Sequence, residues 1–315
     1  MAKTADHGGG VDGAAARFGG VRGDWLDLST GINPCAYPVG AVSDGAWADL
    51  PDTAAFAALE AAARAFWPVP EGAAVLIAPG ASAVIARAPL LLPPGRVAIA
   101  QPTYNEHGRA FAGAGWQVVD QGPAQARVLV HPNNPDGRLW QAQDAGSGSD
   151  LPGLCMIDES FCDVLPGASL IGQAARPGVL VLKSFGKFWG LAGLRLGFAI
   201  GDPALVARLA QGLGPWAVSG PALEIGARAL RDLDWAQATR ERLAQDAARL
   251  DALVGWPLVG GCDLFRLYDV GDAAMVQARL ARARIWSRIF PYSARWLRLG
   301  LPGNAADWAR LEAAL

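Results

Sequence analysis

The chain has 315 residues, with 27 Lys and Arg against 29 Asp and Glu, for a net charge of −2. That balance excludes the basic footprint of a nucleic-acid binder, and no apolar run is long enough to span a membrane, the best candidates being broken by Arg87, by prolines or by Arg195. Cys35, Cys155, Cys162 and Cys262 form no CxxC pair and only three histidines accompany them, so there is no metal-ligand set, and reduced thiols in a cytoplasmic protein are expected.

The N-terminal stretch "MAKTADHGGGVDGAAARFGG" lacks the apolar core of a signal peptide and reads as a loose, Gly-rich lead-in. Buried strands are then expected at "VLIA" (75–78), "RVAIA" (96–100), "WQVVD" (116–120), "RVLVH" (127–131), "LCMID" (154–158), "VLVLKS" (179–184) and "RLGFAIG" (195–201). Several are nearly continuous in Val, Ile and Leu, as in a sheet covered on both faces. Between them, "ASAVIARAPLLL" and "NEHGRAFAGAG" read as helices. The alternation predicts an α/β layer with a mostly parallel sheet. "AQDAGSGSD" (142–150) is expected to be a surface loop. After Pro203 the chain turns helical, through "PALVARLAQGL" and the Ala/Arg/Leu stretch from Pro221 to Val254, and the tail from Leu264 mixes short strands with helices. The length suits two domains: a large α/β domain over 41–214, and a small one built from 1–40 and 215–315.

Open α/β sheets bind ligands beyond the carboxyl ends of their strands, so the polar residue that follows each apolar run matters. "RVLV" leads into "HPNNPDG" with Asn133 and Asn134, "LCMI" into Asp158, and "VLVL" into "KSFGK" with Ser184 and Lys187. "VLIA" is followed by "PGAS", where Ala81 and Ser82 would begin a helix with exposed backbone N–H groups, a ready anion site. "GLAGLRLG" lacks the spacing of the dinucleotide-binding fingerprint. Only three lysines stand among the basic residues, and Lys187 alone combines a strand end, flanking glycines and a nearby arginine. The set suits an aldehyde cofactor that carries a phosphate, pyridoxal 5'-phosphate. Lys187 would form the Schiff base; Ser184 and Arg195 would hold the phosphate. Asp158 would pair with the pyridine nitrogen, Asn134 with the phenolate oxygen, and Tyr104 would stack on the ring.

"SFGKFWGLAGLRLG" resembles the S-x-x-K-x-x-G-L-A-G-x-R-x-G segment of the fold type I pyridoxal-phosphate enzymes in the aminotransferase class I/II group. "HPNNPDG" and "IDESF" are similar to segments of its histidinol-phosphate aminotransferase branch, and the likeness runs from "LSTGINP" (28–34) to "WLRLGLPG" (296–303). Within the branch, "LDLSTGINP", "PTYNEH", "DESFCDVLP" and the lysine segment resemble the threonine-phosphate decarboxylase family of cobalamin biosynthesis. That resemblance implies an aspartate-aminotransferase-like α/β fold with a small α+β domain and a homodimer. It implies decarboxylation of a small phosphorylated amino acid, L-threonine O-3-phosphate, to (R)-1-aminopropan-2-yl phosphate. Matched position by position, it repeats the roles above, gives Ala81 and Ser82 to the phosphate cup, and adds Gly31, Asn33, Arg288 and Arg298 as substrate contacts. The competing readings are a histidinol-phosphate-type aminotransferase and a non-catalytic partner in aminopropanol attachment to the corrinoid. Three positions depart from the family pattern: Phe161 and Leu50 replace tyrosines, and His107 replaces an aromatic residue, with two readings open, a lining of the substrate pocket or a satisfied, non-catalytic histidine.

Overall fold

The computed structural model describes residues 7–146 and 153–315. The helix α1 (Val11–Phe18) and the short strand β1 (Leu26–Asp27) come first. The lead-in expected to be loose is therefore helical from Val11, because its Ala-rich middle propagates a helix whose Val11 and Ala14 bury against Trp25 and Ala281. Lys3 lies outside the described residues, as does the end of the expected 142–150 loop, of which Ala142–Ala145 forms a 3-10 turn.

Next come α2 (Asp44–Ala48), α3 (Thr53–Phe66), β2 (Ala74–Ala78), α4 (Ala81–Arg87), β3 (Arg96–Ile99), α5 (Asn105–Gly113), β4 (Gln117–Val119) and β5 (Ala126–Val130). They are followed by β6 (Leu154–Asp158), β7 (Val179–Ser184), β8 (Gly197–Gly201), α6 (Pro203–Leu213), α7 (Gly220–Ala229) and α8 (Leu233–Val254). The Pro221–Val254 stretch thus breaks into two helices, and Asp232 accepts a hydrogen bond from Trp235 N at 3.0 Å to start the second. The chain ends with β9 (Leu258–Cys262), β10 (Phe265–Asp269), α9 (Ala273–Arg282), β11 (Ile285–Trp286), β12 (Arg288–Phe290), β13 (Ser293–Gly300) and α10 (Ala305–Ala314).

Two compact units emerge. One comprises Ala36–Asn134 and Arg138–Ala238; the other comprises the chain up to Cys35, Pro135–Gly137 and Thr239–Leu315. The larger unit holds a seven-stranded sheet in the order β2-β8-β7-β6-β5-β3-β4. Its β4/β3, β3/β5, β5/β6 and β6/β7 pairs are parallel, while β8 runs antiparallel to both β2 and β7. Strands β6 and β8 are buried throughout, as their unbroken apolar runs require. One packed layer joins Val84, Phe111, Val128, Met156, Leu180 and Leu182. An aromatic group containing Trp67, Phe185, Trp189 and Phe198 forms a further packed set. Parallel β5, β6 and β7 deliver their polar followers to one edge of the sheet. The smaller unit holds an antiparallel sheet in the order β12-β13-β10-β9 and the parallel pair β1-β11.

Glycine is required inside β8. A Cβ on Gly201 would stand 2.1 Å from the Val179 carbonyl oxygen, where only backbone could give way. Gly201→Ala is expected to cost about 1–3 kcal/mol of stability, as overpacking of a close-packed interior does. A lowered urea midpoint at unchanged slope would register it; an unchanged midpoint would contradict the close approach.

Candidate active site

Asp158 ends β6 with 3 % of its surface exposed. Its Oδ1 accepts hydrogen bonds from the backbone N of Ser160 at 3.0 Å and from the Ser160 hydroxyl, and its Oδ2 lies 2.8 Å from His107 Nε2. Burial alone would raise this carboxyl, but the hydrogen bond and charge of His107, together with Ser160, outweigh it and hold Asp158 below the usual carboxylate range. It therefore stays an anion where water barely reaches. His107 is fully buried, and its Nδ1 has no hydrogen-bond partner among the described residues. Because an ionised Asp158 can only accept, Nε2 is the ring nitrogen that donates in this contact. Its pocket-lining role is not what the geometry shows: His107 stands behind Asp158 and packs edge-on against Tyr104 at 5.9 Å.

Strand β7 ends on Ser184, whose Oγ accepts from Gly186 N at 3.2 Å and so tightens the turn that carries Lys187. Lys187 Nζ stands 5.1 Å from the centre of the Phe161 ring. Arg195 has a left-handed backbone, φ 53°, and donates to the Ala192 carbonyl at 3.0 Å. Its guanidinium lies against Gly80, where a Cβ would come within 2.7 Å of Nη2, and a Cβ on Gly197 would come within 2.4 Å of the Ala81 nitrogen. Both glycines thus keep the start of α4 and Arg195 close together. Of the two asparagines after β5, Asn133 is buried and donates to the Pro102 carbonyl at 2.9 Å, while Asn134 faces the cavity. Tyr104 precedes α5; burial, then the charges of Asp158 and Glu106, push its phenol up to about 12.

One cavity is lined by Ala81, Ser82, Tyr104, Asn134, Asp158, Ser184, Lys187 and Arg195, with Phe161 and Gly186. This donor set fits pyridoxal 5'-phosphate. It offers an amine for the aldehyde, a stabilised carboxylate for a pyridinium nitrogen, and a guanidinium, hydroxyls and early helix N–H groups for a phosphate.

The smaller unit holds the other expected residues. Arg298 on β13 is 4 % exposed and donates to the Ser29 carbonyl at 2.6 Å. Arg288 on β12 is its register partner and donates to the His7 carbonyl at 2.7 Å. Burial, then the neighbouring Arg288 cation, lower Arg298 to about 10. Two cations gathered in this way favour an anion. Gly31 is buried in the segment before Asn33, whose Oδ1 accepts from Cys35 N at 3.0 Å and from Arg242 Nη2 at 2.6 Å. Sequence reasoning passed over Arg242. A 209-residue separation gives no pattern to read. His107 did carry a signal: it follows Tyr104 by three residues at the start of a helix, the spacing that puts two side chains on one face.

Residues 36–314 match the aminotransferase class I and II family. A threonine-phosphate decarboxylase of a Sinorhizobium species is 42 % identical over 331 aligned positions, covering 100 % of this chain and 98 % of its own. One of Pseudomonas aeruginosa is 41 % identical, covering 98 % of this chain and 97 % of its own. Among solved structures, the histidinol-phosphate aminotransferase of Sinorhizobium meliloti in complex with pyridoxal-5'-phosphate superposes with a TM-score of 0.84, at 18 % identity, over 98 % of this chain and 93 % of that one.

The His107–Asp158 contact has a consequence in pH. Because Asp158 is held below its unfolded value, its charged form contributes stability above that value, and the contribution is lost as pH falls through the folded value. His107→Phe leaves burial opposed by Ser160 alone, so the carboxyl rises and stability near neutrality drops by about 1.4 kcal/mol for each unit of rise. The Tm deficit of the variant is expected to be largest near neutral pH and to narrow below about pH 5. A deficit that stays constant across thermal melts at different pH would deny the charge coupling.

Proposed function

This chain belongs to the aminotransferase class I and II family, and we propose that within it the protein decarboxylates L-threonine O-3-phosphate to (R)-1-aminopropan-2-yl phosphate, for cobalamin biosynthesis. The observation that carries this reading is the likeness to threonine-phosphate decarboxylases along the full length of both chains. The cavity of the larger unit supports it by supplying a full set of cofactor contacts.

Pyridoxal 5'-phosphate, when bound, supplies an aldehyde and a conjugated ring that takes up the electron pair left at the substrate carbon. Lys187 would hold the aldehyde, and its amine, once displaced by the substrate, would return a proton to Cα. Asp158 would keep the ring nitrogen protonated, Asn134 would donate to the ring oxygen, and Tyr104 would cover one face. Ser184, Arg195 and the first residues of α4, Ala81 and Ser82, would hold the cofactor phosphate. Gly31, Asn33, Arg288 and Arg298 would meet the substrate. Arg288 and Arg298 would grip the substrate phosphate and leave the carboxylate unclamped, so that its bond to Cα is the one presented for cleavage. With CO₂ lost, the Lys187 ammonium would protonate Cα, and the amine so formed would take back the aldehyde and release the product amine.

We also place the protein in the cytoplasm as a homodimer. No described helix is long and apolar enough to cross a membrane, and the four cysteines are free thiols. A groove of about 650 Å³ lined by Ala46, Leu50, Ala55, Leu223 and Ala227 lies beside Trp47, which is 70 % exposed. A second copy would cover this apolar face.

The test supplies cofactor-loaded protein with L-threonine O-3-phosphate and no keto acid. CO₂ and aminopropanol phosphate are expected in equal amounts over many turnovers. Glutamate from histidinol phosphate and 2-oxoglutarate, without CO₂, would make the protein an aminotransferase instead. Lys187→Ala should lower turnover by about 10³-fold or more, since anchor and proton donor go together. Arg288→Ala should raise KM by about 10- to 100-fold, the worth of a lost charge-assisted contact; an unchanged KM would remove Arg288 from the substrate.

A further inference from the structure

The larger unit contains a second lysine whose role lies outside the chemistry described so far. Lys183 sits on β7, next to Ser184, with 2 % of its surface exposed. Its Nζ is 2.6 Å from Glu159 Oε2 and 3.6 Å from Asp163 Oδ1. Burial would lower this ammonium, but Glu159 and Asp163 more than compensate and hold it above its ordinary range. The two carboxylates are served by other donors as well. Glu159 also accepts from the Ser169 hydroxyl at 2.7 Å and from Leu170 N. Asp163 also accepts from Trp67 Nε1 at 2.8 Å and Trp189 Nε1 at 3.2 Å. Trp189 is itself stacked between Phe185 and Trp235, at 5.1 and 5.3 Å.

The placement of these groups along the chain gives the cluster its meaning. Glu159 follows Asp158 directly, Lys183 precedes Ser184, and Trp189 lies two residues beyond Lys187. Lys183, Glu159, Asp163 and Trp189 therefore tie the strand end that bears Asp158 to both flanks of the turn that bears Lys187. A buried ion pair of this kind contributes little net stability, because desolvation offsets the attraction, and its best-attested use is to impose one arrangement. We propose that Lys183 is a positioning residue for the reaction, the buried cation that fixes Lys187 relative to Asp158 through Glu159, Asp163 and Trp189. The proposal rests on the cofactor site put forward above, but not on the identity of the substrate.

The experiment uses the cofactor-loaded enzyme and reads two quantities. One is the pH midpoint of the visible absorption band of the bound cofactor without substrate, which follows the proton held near Lys187. The other is kcat against KM with L-threonine O-3-phosphate. In Lys183→Met, kcat is expected to fall by about 30- to 100-fold with KM changed less than about threefold, the scale of a small misplacement of reacting groups. The band midpoint should move by more than about half a unit, as the charges around Lys187 shift. Lys183→Arg, which keeps the cation, should restore most of kcat and bring the midpoint back. Should Lys183→Met fail to fold, Asp163→Asn removes one charge at constant shape, and about a tenfold loss of kcat with a midpoint shift of the same sense is expected. A folded, cofactor-loaded Lys183→Met or Asp163→Asn whose midpoint stays at the wild-type value overturns the proposal, whatever its urea resistance. If the wild type does not decarboxylate phosphothreonine, the substrate assignment fails, while the midpoints still decide the role of Lys183.

Discussion

Asp158 is an acid that its surroundings oppose. At 3 % exposure, burial favours the protonated form, and a neutral acid could not hold a cationic ring nitrogen. Reversing that preference takes residues from two places in the chain: Ser160, from the turn immediately beyond, and His107, from the first turn of α5. The large unit can be seen as the scaffold for this arrangement. Parallel strands bring Asp158, Asn134 and Ser184 to one sheet edge, and α5 must return to the same edge for His107 to reach them.

The antiparallel strand β8 solves a related packing problem. Arg195 and Gly197 have to approach the start of α4 closely, and running β8 back between β2 and β7 brings them there. The left-handed backbone of Arg195 completes the turn. Local strain at one residue and two glycines without room for a Cβ are the conditions of that close approach.

Much of this was legible in the sequence, for reasons that differ between residues. The strands were readable because a sheet covered on both faces needs nearly continuous Val, Ile and Leu, and "LCMID" and "VLVLKS" supply it. The candidate cofactor contacts were readable as polar residues placed just beyond those runs. The N-terminal helix was hidden by flanking glycines, because its stability comes from burial against Trp25 and Ala281, a contact across the chain. Distance in sequence also hid the partners. His107 and Asp158 are 51 residues apart, Glu159 and Lys183 are 24 apart, and neither pairing leaves a local pattern. Lys183 looked like the end of an apolar strand because its charge is matched by carboxylates that only the folded sheet brings near. The register of Arg288 against Arg298 was equally invisible, since it depends on how the β12–β13 hairpin turns.

The use of arginine for nearly every positive charge has a practical side. Among the described residues the only lysines are Lys183 and Lys187, and the first is sealed between two carboxylates. Amine-directed reagents such as activated esters or reductive alkylation therefore have a single side chain to find in the described fold, and it borders the cavity. Labelling stoichiometry becomes a count of accessible sites, and protection by a bound small molecule becomes a direct occupancy assay. A chain with a common lysine content would bury the same signal under dozens of surface adducts.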